Sequence, residues 1–332
     1  MIPMKQRMFE NYHKHTYDSN IYTADSSVSI EDYAKRAVEL GHKTLSTVEH
    51  GYTGRYFETF KIAKKYGLKF IYGAEAYWVK DRNEKDRTNA HIIVFAKNNK
   101  GRKAINLALS EANDTGYYYK PRLDMELILS LPKDDVFVTT ACVGYWMKNR
   151  DEINEEIEEH LMEMYNHFGD NFMLEIQYQP FDLQIEINKR ILEYHKEYGI
   201  NIIAGMDSHY IYPEQKQERE EVLLSRNIKY DNEDEFYMDY PDYETAFNRF
   251  KDQKIFEDEE IHLALSNTNI VNTFEDLDNI DIFSDRIKLP SLYPDLTQDQ
   301  KDDKLYKIMD NAWQEYKKDL SPEEIPIYEE QI

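Results

Sequence analysis

Cysteine is nearly missing: Cys142 stands alone among 332 residues, so an internal disulfide and a cysteine-rich zinc module are both excluded. Any metal must be held mainly by imidazoles and carboxylates. No stretch of about 18 apolar residues occurs, and the opening MIPMKQRMFENYHKH lacks the apolar segment of a signal peptide. Neither a membrane span nor export is expected, and the expected compartment is the cytoplasm. Glycine is scarce at 11 residues, and no glycine-rich phosphate loop of either standard type is present. A basic excess is lacking too: 41 Lys and Arg against 64 Asp and Glu leave a net charge of −23. Residues 1–212 carry 27 basic and 32 acidic side chains, whereas residues 213–332 carry 14 and 32, so the excess sits in the last third. That third cannot hold DNA by counterion release, which needs Lys and Arg. What is present, 41% apolar and 14% aromatic residues, suffices for a folded core.

The apolar pattern repeats. An amphipathic helix ends in glycine, a short β-rich run follows, and a charged residue closes the unit. The first copy is IEDYAKRAVELGHKTLSTVEH, with Ser29 as N-cap, Asp32 at the capping-box position and Gly41 at the helix end. Others surround Gly67, Gly199 and, more weakly, Gly169. Glu49, Glu75 and Asp207 each lie eight residues beyond Gly41, Gly67 and Gly199, while Gln177 holds that place in the fourth copy. If the runs are parallel strands, these acids emerge together at the strands' C-terminal ends, where alternating strand and helix barrels place their chemistry. HIIVFA from His91, VFVTTAC ending at Cys142 with a helix over about 151–168, and a strand near Phe9–His15 bring the count to seven. The expected class is α/β, a seven-stranded barrel over residues 1–212. An open doubly wound sheet is the rival; it would gather ligands at one switch point. From Pro213 to the end the chain reads as a separate, acidic, helical appendage, with helices near Tyr243–Phe250, Ile261–Phe274 and Asp303–Lys318.

His13 and His15, two apart on one strand, share a face, and Asp207 and His209 repeat that spacing. With Asp25, His50, Glu75, His91 and Cys142 they make nine ligand-competent side chains at or near strand ends. Neutral imidazoles, carboxylates and one soft thiolate suit Zn, Mn or Fe better than Ca or Mg. His42, His160, His167, His195 and His262 fall on helices, linkers or solvated faces and read as structural.

The segments NYHKHTYDS, TVEHG, YGAEAYW, AHIIVFAKN, YYYKPR, TTACVG and AGMDSHY resemble, in order and spacing, the motifs of the PHP (polymerase and histidinol phosphatase) domain. More closely, they resemble the version at the N-terminus of the alpha subunit of bacterial-type C-family DNA polymerase III, including phage-encoded ones. The likeness covers about residues 5–212 and continues more weakly in LALSNTNIVNTF and IKLPSLYP, which resemble the lead-in to that polymerase's palm. The resemblance implies a distorted seven-stranded barrel with three divalent metal ions. His13, His15, Glu75 and Asp207 would hold one ion; Glu75 would bridge to a second held by His91 and Cys142; Asp25, His50 and His209 would hold the third. Glu49 departs from the Asp usual before the histidine and is expected to hydrogen-bond a neighbouring side chain.

Such a site suits phosphoester hydrolysis, with Arg122 and Lys120 as cationic helpers. The implied activity is a 3′→5′ exonuclease that proofreads for a replicative polymerase in a bacterial or phage-infected cell. The 3′ end of single-stranded DNA is the expected substrate, and the remainder of a C-family polymerase the expected partner. Tyr117, Tyr118 and Tyr119 would stack bases, and a basic segment containing Lys80, Arg82, Lys85, Arg87, Lys97, Lys100, Arg102 and Lys103 would follow the backbone. A histidinol-phosphatase-like phosphomonoesterase and a non-catalytic polymerase module are the alternatives. No polymerase active site is expected in this chain; the palm aspartates would follow beyond Ile332.

Overall fold

The Ser29 hydroxyl accepts the Asp32 amide at 3.2 Å and donates to the Asp32 carboxylate at 2.6 Å, and so starts helix α1 (Ile30–Leu40). Gly41 stops it in the left-handed region at φ 77°, a conformation that costs other residues about 1 kcal/mol. The computed structural model describes residues 8–85, 87–149, 152–154, 157–228, 236–277 and 291–330. After α1 come strand β1 (Thr44–Ser46), helix α2 (Tyr56–Lys65), strands β2 (Lys69–Ile71), β3 (Gly73–Trp78) and β4 (Ala90–Ala96), and helix α3 (Asn99–Asp114). Strand β5 (Arg122–Leu123), helix α4 (Met125–Leu129), strand β6 (Val136–Thr139), helix α5 (Val143–Trp146) and the small pair β7 (Met147–Asn149) and β8 (Glu152–Ile153) follow. Then come α6 (Ile157–Phe168), β9 (Phe172–Ile176), α7 (Asp182–Tyr198), β10 (Ile202–Ala204), α8 (Lys216–Ser225), α9 (Tyr243–Asp252) and α10 (Asp258–Asn267).

The result is a mixed α/β fold around a six-stranded sheet of order β10-β9-β6-β4-β3-β5, with β1 and β2 paired in parallel beside it. Isolated bridges extend the ladder. Lys14 pairs with Ser208 beyond β10, and His50 pairs with Glu75 in β3. The Val48 amide also donates to the Lys14 carbonyl at 3.1 Å, so the segment around Lys14 is tied on both sides. The strand expected over Phe9–His15 is therefore reduced to a single bridge, because Ser208 and Val48 reach it from short loop ends rather than along full strands.

One direction differs from the expected parallel array. Strand β4 runs antiparallel to both β3 and β6, since the connection from β3 to β4 shows no crossover helix among its described residues. The reversal puts the first residues of β4, not its last, on the rim with the C-terminal ends of its neighbours, and His91 is among them. The helix expected over about 151–168 begins at Ile157, because Glu152 and Ile153 pair with β7 instead; residues 151, 155 and 156 lie outside the described residues.

The chain divides into Met1–Ile280 and Asp281–Ile332, so the boundary expected at residue 212 falls inside the first unit. α9 carries Glu244 and Asp252 against Arg249 and Lys251, and α10 opens on Asp258, Glu259 and Glu260, but their inner faces bury Ala246, Phe250, Ile261, Ala264 and Leu265, and α10 packs on β10. Charge composition there reports a surface, not a boundary. The second unit holds α11 (Gln298–Tyr316), started by a Thr297 and Gln300 capping box, and α12 (Ile325–Glu329). Trp313, Tyr316 and Tyr328 meet ring to ring within it at 5.8–6.5 Å. The IKLPSLYP segment begins outside the described residues, which resume at Ser291. Among the described residues no helix is long and apolar enough to cross a membrane.

Candidate metal centre

His13 and His15 flank the Lys14 bridge and turn the same way, with their Nε2 atoms 3.3 Å apart. The Tyr33 hydroxyl fixes this arrangement from between two carbonyls, 2.7 Å from that of Ser208 and 3.0 Å from that of His15, sharing its one proton between them. Asp207 follows β10 and directs Oδ1 to within 3.2 Å of His13 Nε2, 3.4 Å of His15 Nε2 and 3.2 Å of His209 Nε2. Its backbone is left-handed at φ 48°, as is Ala141 at φ 53° beside Cys142. Two non-glycine residues held in that region next to cluster side chains are strain of the kind that concentrates at functional sites.

Glu75 is fully buried in β3 and occupies the middle. Its Oε2 lies 2.9 Å from His15 Nε2 and 3.3 Å from His50 Nδ1, and its Oε1 lies 2.7 Å from His91 Nδ1. Cys142 Sγ is 3.6 Å from His91 Nδ1 and 3.9 Å from Glu75 Oε1, and accepts the Gly144 amide at 3.4 Å. Asp25 arrives on a loop rather than a strand end, pinned by Asn20 Oδ1, which accepts its amide at 2.9 Å. Its carboxylate lies 3.5 Å from His50 Nε2 and 3.7 Å from His209 Nδ1. All nine expected ligands are thus brought into one chain of contacts. Three groups can each offer atoms to a single ion: His13, His15 and Asp207; His15, His50 and Glu75; and Glu75, His91 and Cys142.

Five buried atoms of this cluster make no hydrogen bond among the described residues: Asp25 Oδ1, both ring nitrogens of His50, Glu75 Oε2 and His209 Nδ1. Each such group costs about 1–3 kcal/mol if nothing compensates it. Their aim into one volume, with nitrogen, oxygen and sulfur donors together, fits divalent transition-metal ions.

A family model described as the PHP domain matches residues 11–179, half of the chain. The chain belongs to the PHP domain family. Relatives of this PHP domain include the DNA polymerase III alpha subunit of Aquifex aeolicus, 32% identical over 250 residues that cover 68% of this chain and 21% of that protein. The alpha subunit of Helicobacter pylori strain 26695 is 30% identical over 234 residues, 66% of this chain and 19% of that protein. The chain spans about a fifth of the length of the curated relatives it matches. A solved structure of a chain assigned as a metal-dependent phosphoesterase, from Bifidobacterium adolescentis, aligns at 15% identity and a TM-score of 0.39, over 60% of this chain and 87% of that one.

Within the PHP domain, burial and charge oppose each other. Burial works to raise the Glu75 pKa, yet His91, His50 and His15 hold it well below the usual carboxylate range. Asp207 is likewise held far down by His13 against the effect of burial. Burial disfavours charge on His50, but Glu75 and Asp25 push its pKa up to about 10. For His209 burial wins, and the pKa falls to about 3. The Cys142 thiol is raised by burial and by Glu75, so it needs a cation partner to become a thiolate.

Glu49 does not join the cluster. It accepts the Thr16 hydroxyl at 2.8 Å and the Ser19 hydroxyl at 2.5 Å, and Ser19 Oγ sits 3.1 Å from His15 Nδ1, so Glu49 steadies His15 through Ser19. Arg122 differs from expectation. Its guanidinium is buried and donates to the carbonyls of Gly116 at 2.9 Å and of Glu84 and Arg82 at 2.8 Å, which directs it to the loops it braces. Lys120 is half-buried, with Nζ 4.0 Å from the centre of the Tyr77 ring, and that ring stacks on His50 at 6.2 Å. Burial lowers the Lys120 pKa while Glu75 and Asp25 oppose the shift, which places its ammonium within reach of the cluster's field.

Tyr117 and Tyr119 are exposed, and Arg87 lies over the Tyr119 ring at 3.9 Å. The basic segment is partly engaged within the fold: Arg82 pairs with Asp124 at 2.6 Å, Lys100 pairs with Asp135 at 2.6 Å, and Lys97 keeps its charge while donating to the Asn171 amide oxygen. One residue escaped sequence reasoning. Glu175 in β9 is buried with Oε1 2.7 Å from His13 Nδ1. The signal was present, because Gln177 was read at rim height and Glu175 is two residues earlier on the same face.

Proposed function

We propose that this PHP domain is a metal-dependent phosphoesterase that removes nucleotides from the 3′ end of single-stranded DNA as the proofreading exonuclease of a DNA polymerase III alpha-like polymerase. The observation that carries the reading is the convergence of nine ligand-competent side chains in one chain of contacts, five of whose buried polar atoms make no hydrogen bond among the described residues. His13, His15, Glu75 and Asp207 would hold one ion, Glu75 with His91 and Cys142 a second, and Asp25, His50 and His209 a third. When bound, such ions supply Lewis acidity to phosphate oxygens and bring the pKa of water from about 15.7 toward ~7.

The chain's own residues do the rest. The low-lying Glu75 and Asp207 carboxylates stay ionised at neutral pH and keep the histidines oriented. Lys120, whose Nζ lies 4.0 Å from the centre of the Tyr77 ring, would offer its ammonium to the non-bridging oxygens of an incoming phosphate, and exposed Tyr117 and Tyr119 would offer rings to the adjacent bases. The relatives support a polymerase context, and synthesis would belong to polypeptide beyond the matched fifth.

A 5′-labelled single-stranded oligonucleotide and a generic phosphomonoester, each offered to manganese- or zinc-loaded protein, test the reading. Stepwise shortening from the 3′ end, abolished by His13→Ala and Asp207→Asn, is the expected result. Ester turnover with intact DNA would instead identify a phosphomonoesterase. A folded, metal-loaded protein inert toward both substrates would leave a structural module of the polymerase.

A further inference from the structure

We infer that Glu175 is a positioning residue that locks His13 for metal binding without being a ligand itself. An imidazole has two nitrogens, and it can present one to a cation only if the proton stays on the other. His13 Nδ1 faces Glu175 Oε1 at 2.7 Å, which leaves Nε2 to face Asp207 at 3.2 Å and Glu75 at 3.6 Å. Glu175 is itself held from several sides. Its Oε2 accepts the Tyr12 hydroxyl at 2.7 Å, its Oε1 accepts Gln177 Nε2 at 2.8 Å, and its backbone amide donates to Thr140 Oγ1 at 2.9 Å.

The carboxylate is 1% exposed, and Oε1, the oxygen that faces His13, already takes two donors, so it has no path to substrate and no open place for an ion at that oxygen. What remains for it is to orient the ring and raise its basicity, as carboxylates behind metal-binding histidines do. His15 has only the hydroxyl of Ser19 in the matching place, so the two histidines are steadied by unequal means. The inference rests on the cluster's holding metal, as proposed above.

Zinc titration against a chromophoric chelator, on the wild-type chain and on Glu175→Ala, Glu175→Gln and Tyr12→Phe, tests it. Each protein is also unfolded in EDTA, and the His13 ring N–H is sought in NMR spectra of the zinc-loaded form, assigned with His13→Gln. Glu175→Ala is expected to weaken one zinc by about 10- to 100-fold and to lose the His13 N–H resonance, with the remaining zinc unaffected. Glu175→Gln keeps an acceptor in place and loses less, and Tyr12→Phe loses least. Unchanged zinc affinity and N–H signal in both Glu175 variants overturn the inference, even if their EDTA-treated forms unfold more easily. Failure of the wild-type chain to bind zinc, manganese or iron would overturn the metal reading instead. Should Glu175→Ala not fold, Glu175→Gln and Tyr12→Phe decide on the same readouts.

Discussion

Gly205→Ala is the substitution whose consequence can be worked most directly from the geometry. Gly205 is not one of the glycines with positive φ, so alanine meets no backbone penalty there. Its Cβ would instead stand 2.0 Å from Glu175 Oε1, 2.1 Å from Cδ and 2.6 Å from Cγ, where ordinary contacts are 3.4–4 Å. The whole carboxylate has to retreat by more than an ångström, and the 2.7 Å bonds to His13 and Tyr12 cannot stretch that far and persist. Overpacking of this kind costs about 1–3 kcal/mol, and buried groups left without partners add a similar amount. Urea unfolding in EDTA should therefore show a lower midpoint at an unchanged slope, corresponding to a stability loss of roughly 2–6 kcal/mol. Zinc affinity of the folded protein should fall by at least about tenfold at one site. A variant as stable as the parent would refute the packing argument. One that is destabilised yet binds zinc normally would refute the link from Glu175 to His13.

Arg122→Ala should lower stability by about 3 kcal/mol or more, because three carbonyls lose a charged donor, and Arg122→Lys should not restore it, since an ammonium cannot span the fork. Retained stability with lost hydrolysis would show that Arg122 acts on substrate after all. Lys120→Met should raise KM for an oligonucleotide roughly tenfold, the worth of one charged contact of about 1.5 kcal/mol, with the number of bound ions unchanged; an unaltered KM refutes its role. His42 is buried, with Nδ1 2.7 Å from the Tyr240 hydroxyl, and burial lowers its pKa to about 3. The unfolded chain takes up that proton near pH 6.5 and the folded one does not, so stability is lost as pH falls from about 6.5 toward 3, by up to about 1.4 kcal/mol per pH unit. His42→Gln should flatten that acid limb of the unfolding curve; an identical slope contradicts the assignment.

Much of this was legible in the residues. Ser29 and Gly41 announce the limits of α1, and the constant distance from glycine to acid places Glu75 and Asp207 at one height. The His13 and His15 spacing predicts a shared face. What stayed hidden depends on direction and on long-range partners. The periodicity of β4 is the same whichever way it runs, and only the short connection from β3 decides. Arg122 looks like a phosphate ligand in YYYKPR because a sequence shows the guanidinium but not the three carbonyls that surround it. Glu175 went unnoticed since its partners, Tyr12 and His13, are more than 160 residues away. The helices near Tyr243 and Ile261 were expected, but the acidic composition after Pro213 concealed that their apolar faces finish the first unit's core.

Anomalous scattering at the zinc edge, from crystals of the zinc-loaded protein, would test the central claim most directly. The account predicts three peaks inside the cluster, bounded by His13 and Asp207, by His91 and Cys142, and by Asp25 and His209, with Glu75 between the first two. Density for ions elsewhere, or none among these nine side chains at saturating zinc, would contradict it.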